Sequence, residues 1–398
     1  MDKYILIVSA VYPPEPVVSA RLSADLYESL KKRGQKVKVF HPWPTRPNGF
    51  DFGEEIKVGV DEIVADSYTC AKSSLWGRVW ESYSFGKATK SFIEQQHGMI
   101  SSIYANTWPL FAQKYLAQTA KKYGIPYIIH IQDIYPESFC YKMPNVFGKI
   151  AKWLMLPMDK YLLRNAAKIV GISPAMISYL SESRQVDDSR FSLVRNWQDE
   201  SVFVAAHEGM TPGGGVFNVM YLGSISPTAN VPLIIEAASK LDRKSFKLSV
   251  IGNGPDKEHC QLVAANYGLD VVFDVVTPEQ VADKQKEADA LVLCLKKGVA
   301  NTATPSKLTS YMLSGRPVIA SVDLDSDCAN IIREARCGIV VEPGREDALR
   351  DAIEEMAGYE VEELEELGNN AFEYAMKNLS QKKNLGVLTD IILDTVEN

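Results

Sequence analysis

Short apolar runs alternate with amphipathic stretches along almost the whole chain, and this alternation constrains the fold more than any other feature. "YILIVSA" (4–10) reads as a buried strand. The next stretch, "SARLSADLYESLKKRG" (19–34), sets Leu22, Leu26 and Leu30 at helical spacing and stops at Gly34. "KVKVF", "SSIYAN" and "PYIIHIQD" continue the series as strands. After "TPGGG" (211–215) the pattern restarts: strand "FNVMYLGSI", helix "PLIIEAASKL", strands "KLSVIGNG", "VVFDVV" and "ALVLCL", a helix, then strand "RPVIASV". Parallel strands need crossover helices, so this order predicts an α/β class built on doubly wound parallel sheets. A chain of 398 residues also exceeds one ordinary core. The restart near the Gly-rich break therefore predicts two domains, 1–204 and 205–382, with a C-terminal helix at about 383–398 packing back on the first.

Composition narrows the function. The apolar share of 46% and charged share of 23% are those of a globular protein. The opening "MDKYILIVSAVYPPE" breaks its apolar run too early for a secretory signal, and no run approaches the ~20 residues of a membrane span. Six cysteines, at 70, 140, 260, 294, 328 and 337, make no CxxC pair or zinc-like spacing. They read as reduced thiols, and the expected location is the cytoplasm. Residues 1–200 carry 25 Lys+Arg against 20 Asp+Glu, leaving 18 against 30 for the rest. The acidic second half disfavours nucleic acid as a partner. The basic first half suits an anionic acceptor or peripheral contact with an anionic membrane.

"ANTATPSKLTSYMLSG" (300–315) is the most informative single stretch. Thr304 suits an N-cap, Pro305 the first helical position, and Gly315 the residue after the helix. One reading is a capped surface helix. The other is an anion site, in which open N–H groups act with Thr304, Ser306 and Lys307. Ligands of doubly wound sheets bind beyond the carboxyl ends of the strands. "ALVLCL" ends there at Leu295, followed by Lys296 and Lys297, and "VIGNGP" ends there with Gly252 and Gly254. Two such loops on one edge favour the anion site. The loop after Ala10, "VYPPEPVVSAR", has no glycine, which argues against a dinucleotide dehydrogenase.

The residues that carry a family likeness are "YPPEP…SAR", "HIQDIYPES" (130–138), "VGISPAM" (170–176) and "LVRNWQDESVF" (193–203), then "MYLGSI", "VIGNGP", "TPSKLTSYMLSGRPVIA" (304–320) and "CGIVVEPG" (337–344). In this order the chain resembles the family 4 glycosyltransferases of GT-B fold, over essentially its full length. The subgroup it is most similar to is that of bacterial capsule and O-antigen enzymes, including L-fucosamine transferases. The resemblance implies two Rossmann-like domains facing a cleft, acceptor bound mainly by the first and nucleotide-sugar donor by the second. It further implies retention of anomeric configuration, no cofactor and no bound metal. The donor would meet Gly223, Gly252, Gly254, Thr302, Thr304, Ser306, Lys307, Leu308 and Ser310. Two departures stand out. The family's Glu-x7-Glu positions fall on Thr302 and Ser310, and the Arg/Lys pair that grips the diphosphate is missing from "YLGSISPTAN" (221–230). Lys296, Lys297, Lys307 or Arg195 would have to supply that charge.

Asp133, at the end of the strand "PYIIHIQD", lies on the ligand edge of the first sheet, and the resemblance sets it or His130 beside the acceptor hydroxyl. A carboxylate there can act as a base or order the acceptor. The other readings are a turn cap for Asp133 and a strand histidine satisfied by the fold for His130. Glu137 either holds a sugar hydroxyl or braces the turn at Pro136. Glu15 and Arg21 flank the first loop as acceptor contacts or as a plain surface pair. Asp323, Asp325, Asp327 and Glu334 mimic calcium-loop spacing, but Cys328 stands where that loop needs glycine. "GKIAKWLMLPMDKYLLRNAAK" (148–168) mixes basic and apolar residues, as either a membrane-interface helix or a core helix with a basic face.

The sequence thus predicts a retaining glycosyltransferase moving a sugar from a nucleoside-diphosphate sugar, UDP in first place, to a lipid-linked saccharide for surface polysaccharide, peripheral on the inner membrane. A nucleotide-sugar 2-epimerase of the same fold and a non-catalytic nucleotide-sugar-binding protein remain the rivals.

Overall fold

The computed structural model describes residues 3–46, 52, 56–72, 74–107, 111–140, 143, 145–207, 215–299 and 306–397. Among these residues the chain forms two compact units: Met1–Arg195 with Leu385–Asn398, and Asn196–Asn384. The division falls at 195/196, earlier than the apolar pattern alone suggests. Trp197 is fully buried, and Phe203 packs into the core of the second unit with Leu293 and Met312. Glu200 accepts hydrogen bonds from the backbone N–H groups of Gln381 (2.8 Å) and Lys382 (3.2 Å). Those contacts tie 196–207 to the second unit. At the other end of the chain, Ser29 Oγ lies 2.8 Å from Thr389 Oγ1, and Arg33 pairs with Asp390 at 2.8 Å, holding the terminal segment on the first unit.

The first unit has the strands β1 (Tyr4–Ser9), β2 (Val37–Pro42), β3 (Glu62–Ala65), β4 (Ile100–Asn106), β5 (Tyr127–Ile131), β6 (Lys168–Gly171) and β7 (Phe191–Leu193). They form one parallel sheet in the order β3-β2-β1-β4-β5-β6-β7. The second unit has β8 (Phe217–Leu222), β9 (Phe246–Ile251), β10 (Val271–Asp274), β11 (Ala290–Cys294), β12 (Val318–Ser321) and β13 (Gly338–Val341), ordered β10-β9-β8-β11-β12-β13 and parallel throughout. All of β1, β5 and β11 is buried, as expected of strands covered by helices on both faces. Leu22, Leu26 and Leu30 are the buried stripe of the helix Val18–Lys32, in the i, i+4, i+8 pattern of an amphipathic helix.

Both sheets reverse their winding once, between β1 and β4 and between β8 and β11. At such a point the loops leaving neighbouring strands diverge to opposite faces and leave a crevice at the carboxyl edge. The register Ser9↔Asn106 brings the ends of β1 and β4 level there.

Candidate functional site

In the first unit, the crevice is a cavity of about 130 Å³ lined by Ala10, Val11, Asn106, Thr107, His130 and Asp133, among others. Its floor is polar and fixed. Asn106 Nδ2 donates to the Ser19 carbonyl and to Ser23 Oγ, both at 3.2 Å, and Ser23 Oγ lies 2.9 Å from Ser9 Oγ. His130, on β5, is buried with Nδ1 at 2.6 Å from the hydroxyl of buried Tyr104 and Nε2 at 3.0 Å from the Gln132 amide. Burial alone drives the imidazole down to about 3, so it is neutral at physiological pH. Neutral His130 fixes Tyr104 and Gln132 and carries no charge to the crevice. Asp133 lies two residues past the end of β5, exposed at the cavity wall beside half-buried Tyr135.

Glu137 is held differently. Arg184, whose side chain is almost wholly buried, forms a fork onto both of its oxygens, at 2.9 and 2.7 Å. The Tyr179 hydroxyl donates to it at 2.6 Å, and Lys152 stands 3.2 Å away. Although burial opposes ionisation, the donors win, with Arg184 foremost, and hold the carboxyl down to about 2. The bidentate geometry is that of a brace joining the turn at Pro136 to the helix Pro174–Arg184. Arg184 also donates to Asp159 at 2.7 Å and to the Tyr135 carbonyl at 2.6 Å.

Asp159 is a site residue that the apolar pattern did not disclose. It is the sole carboxylate of the helix Asn145–Asn165, lines the same cavity as Asp133, and is pushed up to about 6 by burial against the pull of Arg184. The available signal was that one acidic side chain in an otherwise basic helix.

Glu15 spends its carboxylate on the fold as well. One of its oxygens accepts from the backbone N–H groups of Thr45 (2.7 Å) and Arg46 (2.9 Å), pinning the loop after β1 to the loop after β2. Burial still raises its pKa. Arg21 is half-buried in the first turn of the helix Val18–Lys32.

In the second unit, Gly223 follows β8 and Gly252 follows β9, both at φ +148°. A Cβ on Gly252 would sit 2.0 Å from the Gly223 carbonyl oxygen, and one on Gly223 would sit 2.2 Å from Lys307 Cε. At Gly223 the neighbour is the end of a flexible side chain and the positive φ is what favours glycine, while at Gly252 the loops approach so closely that only glycine fits. Gly254 meets the Ile225 carbonyl in the same manner. Lys307 enters from the helix Ser306–Leu313, donates to the Ser224 carbonyl at 3.1 Å and lies 5.0 Å above the Tyr221 ring. No carboxylate pairs with it among the described residues. Burial lowers its pKa to about 8. An ammonium with a carbonyl and a ring face for company is an incomplete charge environment.

The other residues expected on the donor side sit on several elements. Lys296 and Lys297 are exposed after β11, and the Lys296 N–H donates to the Thr228 carbonyl at 3.0 Å. Ser306 is half-buried in the first turn, and Arg195 is half-buried at the end of the first unit. Leu308 is wholly inside the core. Ser310 is buried and exchanges hydrogen bonds with the amide of Gln285 at 3.0 and 3.3 Å. Thr302 and Thr304 lie outside the described residues. Asp323 accepts from the Gly298 N–H at 2.8 and 3.0 Å, which fastens the loop after β11 to that after β12. Among the described residues no group of three or more His, Cys, Asp or Glu is placed to hold a metal ion.

Two family models match: one described as Glycosyltransferase Family 4, over residues 19–201, and one described as Glycosyl transferases group 1, over 216–358. A curated relative, the WcaI protein of Escherichia coli strain K12, bears a name assigning it to colanic acid biosynthesis as a glycosyl transferase. It is 22% identical over 372 residues, spanning 87% of this chain and 90% of its own. Sucrose-phosphate synthase from Thermosynechococcus elongatus superposes with TM-score 0.72 at 17% identity, covering 98% of each chain. HepE from Anabaena, solved in complex with UDP, gives 0.66 at 14% identity, covering 98% of this chain and 100% of its own. At these identities the solved structures speak to the fold, which is GT-B.

Proposed function

Because the chain belongs to the family 4 glycosyltransferases, we propose that it transfers a sugar from a UDP-sugar to a lipid-linked saccharide during assembly of a surface polysaccharide, with retention at the anomeric carbon. The observation that carries the donor half is Lys307. It is an ammonium partly withdrawn from water, without a carboxylate partner among the described residues, against two loops whose glycines put no side chain beside it. A diphosphate supplies the missing charge, and a charge-assisted contact is about twice as strong as a neutral one. The same contact stabilises the leaving nucleotide as negative charge develops on it. The UDP and UDP-glucose complexes of the Anabaena protein support this ligand class, and the name of the Escherichia coli relative supports the surface-polysaccharide setting.

In the first unit Asp133 is the carboxylate we assign to the acceptor hydroxyl, either taking its proton or ordering it. The donor is consumed as a substrate, and no further cofactor is invoked. A thermal-shift panel of UDP-, GDP- and dTDP-sugars, followed by transfer into a lipid-linked saccharide extract, tests the reading. UDP compounds should raise the melting temperature most, since saturation at 100 Kd adds about 2.7 kcal/mol. Asp133→Asn should bind donor normally and lose at least ~10²-fold in turnover. Donor binding with neither transfer nor slow hydrolysis in the wild type points to a binding protein, and conversion of the donor without acceptor points to an epimerase.

A further inference from the structure

Tryptophan is ordinarily among the best-buried side chains on average. In the first unit it is not: Trp76 is 81% exposed and Trp153 is 74% exposed, and Trp80 is exposed too. Trp153 belongs to the helix Asn145–Asn165, where Val146, Phe147, Ile150 and Leu154 are exposed with it. At 3.6 residues per turn these five occupy one arc of roughly 120° on the helix surface. The opposite side is the packed one. Gly148 is buried, and a Cβ there would come within 2.8 Å of the Cys140 carbonyl oxygen. A contiguous apolar arc open to water opposes the rule that surface helices turn such faces inward.

Two further features say what covers it. The first is charge. From Asn145 to Met158 the helix carries no carboxylate; Lys152 is paired with Glu137, and Lys149 is exposed on the edge of the arc. The second is position. The helices Leu75–Gln96, Phe111–Tyr123 and Asn145–Asn165 are successive neighbours in one layer. Each runs back from the carboxyl edge of a parallel sheet, so Trp76, Trp80 and the Val146–Leu154 arc all lie toward that edge. Asp159, on the cavity wall, follows Leu154 by five residues, about 8 Å along the axis.

We propose that this arc, with Trp76 and Trp80, is a docking surface for an anionic lipid bilayer, lying flat in the headgroup region. Among the described residues no helix is long and apolar enough to cross a membrane, which fits contact from one side. Trp suits the interface because its ring is apolar and its N–H stays hydrated. Lys149 at the rim adds attraction to anionic headgroups. The proposal goes beyond the transfer reaction and does not depend on which saccharide is the acceptor.

Vesicle flotation of the full chain, with phosphatidylglycerol–phosphatidylethanolamine or with phosphatidylcholine alone, tests it without any activity measurement. The wild type should bind the anionic vesicles, more weakly as salt rises, and show a blue shift of tryptophan emission. Ile150→Ser/Trp153→Ser should weaken binding at least about tenfold, since two large apolar side chains leave the interface. Lys149→Glu should weaken it at least about fivefold, on anionic vesicles only. Thermal melts of these exposed-site variants should match the wild type. Wild-type protein that stays unbound at low salt overturns the proposal, as does a double variant that binds like the wild type. A dimer in lipid-free light scattering that dissociates in the double variant also overturns it, by assigning the arc to a second copy. Sugar transfer in detergent stands or falls separately.

Discussion

Lys307→Met should stabilise the ligand-free protein at pH 7 while crippling its donor site. Burial takes this ammonium from its usual 10.5 to about 8, which is worth at most about 3 kcal/mol against the charged form. Two corrections reduce that ceiling. The lysine is only partly withdrawn from water, and it donates a 3.1 Å hydrogen bond to the Ser224 carbonyl, worth about 1 kcal/mol. Methionine keeps the stem's packing over Tyr221 and removes the charge. A net gain of about 1–2 kcal/mol remains, or about 2–8 °C in the melting transition of a unit this size. The pH dependence gives the sharper test. Below about pH 8 the lysine is charged folded and unfolded, so the whole cost is present. Between about 8 and 10.5 the folded protein has released the proton and the unfolded chain has not, so wild-type stability rises with pH relative to the variant. Scanning calorimetry should therefore show the Met variant ahead at pH 7 and the gap closing by about pH 10. Isothermal titration with UDP should show a loss of roughly 10- to 100-fold in the same variant. A Met variant less stable at pH 7, or a gap unchanged from pH 7 to 10, refutes the reasoning.

Glu137→Gln should destabilise the first unit by about 3–5 kcal/mol in urea, because Arg184 loses a counter-charge it is buried against. With the Glu137 carboxyl held at about 2, its contribution is present above about pH 4.5 and disappears as pH falls through 2, so the variant should lack that acid limb. A fully stable Gln variant with lost turnover would make Glu137 a sugar contact instead. Gly252→Ala should cost at least about 2 kcal/mol, through its φ of +148° and a collision with the Gly223 carbonyl, and should abolish UDP binding in calorimetry. Unchanged stability would show that the two loops can separate.

The sequence by itself determined the architecture, because hydrophobic periodicity is local. Apolar runs such as "ALVLC" and the leucines of Val18–Lys32 declare strand or helix without reference to distant residues, and their alternation leaves little choice but parallel sheets. Gly252 and Gly254 were legible for the same reason, as they follow a strand where a loop must turn sharply. What tertiary structure decided is which polar groups are already occupied. Glu137 and Asp133 look alike in "HIQDIYPES", yet one is forked by Arg184, 47 residues away, while the other stands exposed at a cavity wall. Glu15 is consumed by backbone donors 30 and 31 residues on. Leu308, next to Lys307, is turned wholly into the core. The basic, apolar stretch after Gly148 read equally well as core or interface until packing buried Leu162 and Leu163 and left Trp153 and Leu154 outside. Pairing and burial are fixed by partners remote in the chain, and no local pattern encodes them.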